Sequence, residues 1–223
     1  MKPLSVLRDS LYFFRNNLWA IVQLCLPLVM LEALATHFIE QTKGGQGSTL
    51  APILVGLMFY PLYTGALILF LDERSRGQHP AARELLAKAL RMWPFFASLA
   101  AMNLVLIMLG MSLYLLPGIW VMVKLAFAEY SLVLRGRKPL SAMRDSIEMT
   151  SGFFWPILVC IMAVMLPLWL LDGFSAMAWA DQQNSLVQVL IDGLNGFLQL
   201  LNTVVVFRLF MLLSDPEQRR KLQ

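Results

Sequence analysis

Charged side chains interrupt several long apolar runs of this sequence. Four residues do so: Glu32, Lys124, Glu129 and Arg208. A charge surrounded by apolar residues costs roughly 2.5–3.5 kcal/mol on insertion scales, so it requires either a partner or a use. The chemistry that such residues support is ion pairing, proton or ion handling, and substrate binding inside a membrane.

Position along the apolar runs predicts two ion pairs. Glu32 lies six residues before the end of its run and Lys124 six after the start of its own, so both lie about 9 Å deep on the same side of the membrane, at 1.5 Å per residue. Glu129 and Arg208 each lie five residues from the other side. We therefore predict the pairs Glu32–Lys124 and Glu129–Arg208. The alternative is that Lys124 and Arg208 extend separately to the membrane surface.

A second candidate site is a polar stripe on the last apolar run. Its members recur at steps of 4, 3, 4 and 3 and fall within about 80° of helical arc. The stripe predicts either a lining for a hydrophilic cavity or a set of hydrogen bonds between helices, and both interpretations remain open. Gly193 and Gly196 lie beside it and predict close helix approach. The members of the stripe are Gln188, Asp192, Asn195, Gln199 and Asn202.

No familiar catalytic or metal-binding motif accompanies these residues. The sequence contains no HExxH, CxxC, phosphate-binding P-loop or GxSxG pattern. Its two Cys, Cys25 and Cys160, lie in separate apolar runs and form no thiol cluster. We therefore predict no catalytic residue, no metal and no cofactor.

The elements that carry these residues are membrane spans. The chain has 223 residues, of which 58% are hydrophobic and 14% are charged. This composition disfavours a water-soluble enzyme, a disordered chain and a nucleic-acid-binding domain. Spanning about 30 Å of hydrocarbon takes about 20 helical residues, and six runs are long enough. The predicted spans are Leu18–Phe38, Leu50–Leu71, Phe95–Leu116, Gly118–Leu134, Phe153–Leu171 and Leu186–Leu213.

Turn residues and charge distribution predict the connections and the orientation. Pro117 and Gly118 separate the third and fourth spans, which predicts a tight hairpin there. Fifteen of the 18 Lys and Arg fall in the two termini and the second and fourth loops. The positive-inside rule then places both termini in the cytoplasm. The basic inner face predicts contact with anionic lipids of the cytoplasmic leaflet and no nucleic-acid partner.

Two segments that precede spans are alike in sequence. Residues 4–19 and 140–155 match without a gap, and residues 83–96 are a looser third copy. Apolar positions form one stripe that is typical of a helix lying in the membrane interface. The predicted fold is all-α, with six transmembrane helices built as three amphipathic-helix-plus-hairpin repeats, at about 1–75, 76–136 and 137–223. The polar face of the segment is predicted to hold Arg8, Asp9 and Ser10, and Arg144, Asp145 and Ser146.

Residues 116–158 carry a Pro-Gly turn, a base inside a span, an amphipathic segment and a Phe-Trp pair. This arrangement resembles the YciC-type family of uncharacterised bacterial inner-membrane proteins. It is also similar to the membrane domain fused to some glycerophosphodiester phosphodiesterases. The resemblance implies a multi-pass protein of the bacterial inner membrane, and no catalytic residue carries over. The residues that carry it are Pro117, Gly118, Lys124, Leu140, Ser146, Phe154 and Trp155.

Three functional interpretations follow. The first is a non-enzymatic protein that supports envelope or phospholipid homeostasis through lipid binding or scaffolding. The second is a transporter or channel for a small solute or lipid, which the polar stripe and the charged residues favour. The third is an intramembrane enzyme that modifies lipids, with Glu129 or Asp192 as the acid/base. Membrane lipids are the predicted partners, and a protein partner or a homo-oligomer is left open.

Overall fold

The computed structural model describes residues 3–42, 50–178 and 185–215, which are helical apart from short turns. These described ranges contain no strand, so the predicted all-α class is confirmed. In chain order the helices are α1 (Pro3–Asn16), α2 (Leu18–Thr42), α3 (Leu50–Ser75), α4 (Ala82–Leu113), α5 (Leu115–Leu125), α6 (Ala128–Arg135), α7 (Pro139–Thr150), α8 (Phe154–Ala178) and α9 (Ser185–Ser214).

Six segments are long and apolar enough to cross a membrane, which confirms the predicted number of spans. The largest difference is in the third span, which begins at Ala82 rather than Phe95. Pro94 lies inside α4 without ending it, because neighbouring backbone bonds accommodate one proline at the cost of a kink. The segments are Leu18–Ile39, Leu50–Ser75, Ala82–Leu113, Leu115–Arg135, Phe154–Ser175 and Val187–Ser214.

The hairpin between the third and fourth spans turns at Tyr114, three residues before the predicted position. Tyr114 has extended backbone angles, whereas Pro117 and Gly118 lie in the first turn of α5. Proline is tolerated there because its missing N–H would have no intrahelical partner. Gly118 serves close packing instead, since a Cβ atom added to Gly110 would lie 2.9 Å from the Gly118 Cα.

The fourth span is broken in the middle, between α5 and α6. Ala126 and Phe127 form a turn, and Ser146 of α7 satisfies the backbone groups that the turn releases. The Ser146 hydroxyl donates to the Lys124 carbonyl at 2.6 Å and accepts from the Phe127 amide at 3.0 Å. A span can break inside a bundle when neighbouring side chains supply the missing bonds in this way.

The two matching segments form separate helices, α1 and α7, while residues 83–96 continue within α4. The prediction that Ser10 and Ser146 lie on an outward polar face is wrong, because these serines are 1% and 0% exposed. Arg8, Asp9 and Arg144 do face outward, as predicted. Apolar positions such as Leu4 and Ile147 are exposed beside them. A small hydroxyl fits against the bundle, and Ser146 finds backbone partners there. The division into three repeats stays a prediction.

Large apolar side chains cover the outside of the spans. On α4, Leu109 is 57% exposed, and on α8, Leu170 is 55% exposed. Such a surface is unfavourable in water and favourable against lipid chains. The interior is packed with apolar groups such as Phe96, Phe127 and Leu67, each at most 1% exposed. The protein is therefore apolar on both its inside and its outside, and polar groups within it stand out.

Candidate functional site: a polar crevice among four helices

A cavity of about 370 Å³ lies among α2, α3, α8 and α9. We call it the polar crevice. On α9 its lining runs from Asp192 to Thr203, eleven residues apart, or about 17 Å of helix. Its volume falls in the range of about 300–1,000 Å³ typical of small-molecule sites. The lining residues are Val29, Glu32, Ala33, Thr36, Tyr60, Tyr63, Thr64, Met165, Asp192, Gly196, Gln199, Leu200, Asn202 and Thr203.

Three of the five residues of the predicted stripe line the polar crevice: Asp192, Gln199 and Asn202. Asn195 lies on α9 as well but faces α8. Its amide donates to Asp172 Oδ1 at 2.8 Å and to the Ser175 hydroxyl at 3.0 Å. Gln188 is partly buried and is not one of the lining residues. Three members therefore lie along the cavity and one lies in a contact between helices, and the role of the stripe stays a prediction.

Glycines let α2 and α9 approach each other at the crevice. A Cβ atom on Gly196 would lie 3.0 Å from the Val29 side chain, and one on Gly193 would overlap the Met30 sulfur. The predicted close approach is therefore present, although the neighbours are side chains rather than backbone. Small residues bring membrane helices together by this means.

Glu32 of α2 faces α3 across the crevice. Its carboxyl group forms a hydrogen bond with the Tyr63 hydroxyl. One carboxyl oxygen would lie 3.5 Å from a Cβ atom on Gly56, which shows that α2 and α3 are in close contact. Glu32 therefore has a neutral hydroxyl partner on α3.

Glu129 of α6 reaches the same helix from another side. The Tyr60 hydroxyl lies 2.9 Å from both carboxyl oxygens of Glu129. Tyr60 also stacks near Phe96, with ring centroids 6.2 Å apart. Tyr60 and Tyr63 are separated by one helical turn, so α3 presents two phenols to two carboxyl groups.

The predicted ion pairs are wrong. Lys124 donates to the Ser151 hydroxyl at 3.3 Å and lies over the Trp120 ring. Arg208 lies 3.7 Å from Asp9 of α1. The prediction used only the depth of each residue along its helix. The direction in which a side chain points around the helix axis also matters, and Lys124 and Arg208 point toward neighbours other than the predicted ones. The break after Leu125 also brings Lys124 to the α7–α8 junction rather than to α2.

Arg208 and Asp9 line a second cavity, of about 280 Å³. It lies where α1 meets the last turn of α3 and the C-terminal half of α9. Ser10 contributes a buried hydroxyl that has no hydrogen-bond partner among the described residues. The Arg208 and Asp9 side chains are each about half exposed.

The polar crevice also contains two buried polar atoms without hydrogen-bond partners within the described ranges, Thr64 Oγ1 and Asn202 Oδ1. Thr64 is 0% exposed. Buried polar atoms normally find partners, so an orphan marks a site to explain. The described residues contain no group of three His, Cys, Asp or Glu that could hold a metal ion.

Sequence reasoning missed the two tyrosines and three threonines of the crevice, namely Tyr60, Tyr63, Thr36, Thr64 and Thr203. Tyrosine and threonine are neutral and count as ordinary span residues, so they raise no signal in hydropathy. The available signal was the spacing of the two tyrosines, three residues apart in the middle of an apolar run.

Six segments long and apolar enough to cross a membrane, with a polar crevice among four of them, define a polytopic α-helical membrane protein. The chain is similar to a UPF0259 membrane protein of Sodalis glossinidius (strain morsitans). The two are 23% identical over 248 aligned positions, which cover 95% of this chain and 97% of the relative. No protein-family model matches the chain. No solved structure matches it either.

Proposed function

We propose that this chain is a non-enzymatic protein of the bacterial inner membrane that binds phospholipid in the polar crevice and so supports envelope or phospholipid homeostasis. The observation that carries the proposal is a cavity with polar walls inside an apolar bundle. Polar residues at membrane depth are costly and are retained where they pair or act. A lipid head group is a polar ligand that is present at high concentration beside every span.

The exposure of the crevice residues supports entry from the side. Asp192 and Gln199 are exposed, whereas Thr64 is buried at the inner wall. A head group can therefore bind between the helices while its acyl chains stay in the surrounding bilayer. The apolar outer surface of α8 and α9, with Leu170 and Leu194 exposed, suits those chains.

The second cavity supports lipid contact at the other end of the bundle. Arg208, half exposed beside buried Ser10, offers a cation and a hydroxyl to a phosphate group. Polybasic inner faces attract anionic lipids by about 1 kcal/mol per Lys or Arg. We propose that anionic lipids of the cytoplasmic leaflet are peripheral partners there.

The test is lipid mass spectrometry on protein extracted in native membrane discs without detergent. We expect one lipid class to be enriched at least threefold over bulk membrane. A Gln199→Leu/Asn202→Leu variant, which replaces two polar side chains that line the crevice, should lose that enrichment. The matched control is Asn195→Leu, on the same stripe but facing α8. This variant should keep the lipid enrichment. A profile equal to bulk membrane, or enrichment that survives in the double variant, refutes the proposal.

Lipid or solute transport is the second candidate, favoured by the two carboxyl groups that flank α3. Ionisable residues at such depth often mark transport pathways. Vesicles that contain a fluorescent phosphatidylethanolamine and an external quencher separate the two functions. Simple binding predicts that the lipid crosses no faster than in protein-free vesicles. Faster crossing that disappears in Asp192→Asn/Gln199→Leu would establish transport instead.

A further inference from the structure

We infer that the ligand of the polar crevice presents a primary ammonium group, as an ethanolamine phospholipid does. The inference rests on the proposed function and adds the chemical class of the ligand. It follows from the charge of the crevice wall, from its hydrogen-bonding atoms and from their positions.

The charge of the wall favours a cation. Glu32 and Asp192 both line the crevice, from α2 and α9 respectively. No Lys, Arg or His is among the lining residues that the structure describes. Interactions between charges strengthen in a low-dielectric interior, so carboxyl groups there attract a cation and repel an anionic head group.

The hydrogen-bonding atoms favour a donor. The hydroxyls of Tyr60 and Tyr63 are engaged by Glu129 and Glu32. The partnerless Asn202 Oδ1 is an acceptor, and the partnerless Thr64 hydroxyl can accept as well as donate. A primary ammonium has three donors and no acceptor, so it complements these atoms together with a carboxyl group.

Positions along the helices give the wall its depth. Thr36 and Asp192 lie near the ends of α2 and α9 that share one side of the bundle. Glu32 lies one turn deeper on α2, and Asn202 lies ten residues beyond Asp192 on α9. Hydrogen-bond acceptors therefore extend from the exposed carboxyl group of Asp192 toward the interior of the bundle. An ammonium group that enters the crevice meets an acceptor at each depth.

The experiment measures which head group the purified protein retains. The protein is reconstituted in equal parts of phosphatidylethanolamine, phosphatidylcholine and phosphatidylglycerol, and bound lipid is counted by native mass spectrometry. We expect the ethanolamine lipid to exceed the glycerol lipid about tenfold, because hydrogen bonds to charged groups are the strong ones. The choline lipid, a cation without N–H donors, should fall between them.

Charge-removing variants of similar shape locate the site. Glu32→Gln and Asp192→Asn should each reduce the ethanolamine preference severalfold. The matched control is Asp172→Asn, an acid on α8 that accepts from Asn195 outside the crevice, and it should change nothing. Because Asp192 is exposed, its variant stays informative if Glu32→Gln folds poorly. Preference unchanged in Asp192→Asn refutes the assignment.

The remaining outcomes separate this inference from the proposed function. If glycerol or choline lipids are retained best, lipid binding stands and the primary ammonium is refuted. If no lipid is retained, lipid binding fails, and titration with free ethanolamine by calorimetry decides the inference. Binding of ethanolamine that Asp192→Asn abolishes supports a soluble amine as the ligand, whereas absence of binding refutes the ammonium site.

Discussion

Tyr60 and Tyr63 each hold a carboxyl group that comes from a different helix. Tyr60 donates to Glu129 of α6, and Tyr63 is hydrogen bonded to Glu32 of α2. In a membrane interior, a phenol can stabilise an acid without bringing a second charge to be desolvated. The two tyrosines thus connect three helices through one face of α3.

Removing one phenol should expose this role. We expect Tyr60→Phe to lower the free energy of unfolding by about 1–3 kcal/mol, because Glu129 then keeps its buried acceptors without their donor. Thermal unfolding in detergent, followed by size-exclusion chromatography, measures the change. Tyr114→Phe, at an exposed turn, is the control and should have little effect. A Tyr60→Phe protein as stable as the wild type would contradict the role.

A charge exchange tests the observed ion pair. Asp9 and Arg208 are about half exposed, so either single reversal should cost less than about 1 kcal/mol, and Asp9→Arg/Arg208→Asp should restore it. The Glu129→Arg/Arg208→Glu exchange should express no better than Glu129→Arg, because those residues do not meet. Expression measured as fluorescence of a fused reporter decides between the pairings. Rescue by the second exchange would overturn the observed arrangement.

Interruptions define the elements of the fourth span. The turn at Tyr114 lets Gly110 and Gly118 approach, and the break at Phe127 is completed by Ser146 from α7. The first interruption depends on two glycines, and the second depends on the small hydroxyl side chain of Ser146. The stability of the fourth span at these two points therefore depends on close packing and hydrogen bonding rather than on hydropathy.

A glycine exchange tests the close approach. Gly110→Ala should destabilise the protein by about 1–3 kcal/mol, because overpacking against backbone cannot be relieved by rotating a side chain. Gly173→Ala in α8, where a Cβ atom meets nothing within 4 Å, should be neutral or slightly stabilising. Unfolding midpoints of the two variants give the comparison. Equal midpoints would show that the hairpin has more room than the structure indicates.

A serine exchange tests the break in the fourth span. Ser146→Ala removes partners from the Lys124 carbonyl and the Phe127 amide, and should cost about 1–3 kcal/mol or more. Ser141→Ala is the control on the same helix, since among the described residues that hydroxyl bonds the exposed Lys138 carbonyl alone. Proteolysis rates in detergent measure the local opening. No increase for Ser146→Ala would mean that the turn holds without this hydroxyl.

At the scale of the whole molecule, the two ends of the bundle differ in charge. Basic residues collect where α1, α7 and the C-terminal ends of α3, α6 and α9 lie, with Arg74, Arg135 and Arg137 among them. Glu32 and Asp192 line the polar crevice toward the other end, and its lining, as far as the structure describes it, includes no Lys, Arg or His. This asymmetry is what orients a multi-pass protein during insertion.

Reporter fusions test the orientation. A reporter inserted at Gln46, which lies outside the described residues, should be active on the outer side of the membrane. One placed after Gln223 should be active in the cytoplasm, because the basic loops remain inside. Paired phosphatase and fluorescent-protein fusions give opposite readings at each site. The same reading at both positions would contradict an even number of spans.

The sequence by itself determined the class, the number of spans and the polar stripe of α9. Hydropathy over 20 residues and a spacing of 3 and 4 are local properties, so no tertiary information is needed to recognise them. The same reasoning identified Glu32 and Asp192 as unusual, and both line the crevice. The sequence prediction placed the turn at Pro117 rather than Tyr114, because proline is common both in turns and in the first turn of a helix.

Only the tertiary structure decided which polar groups meet. The sequence gives the depth of Lys124 and Arg208 along their helices. It does not give the rotation of each helix about its own axis, because packing of the whole bundle fixes that rotation. The inward direction of Ser10 and Ser146 and the phenol partners of Glu32 and Glu129 depend on the same packing. A site made from four helices exists only when those helices are assembled, which is why its residues stood apart in the sequence.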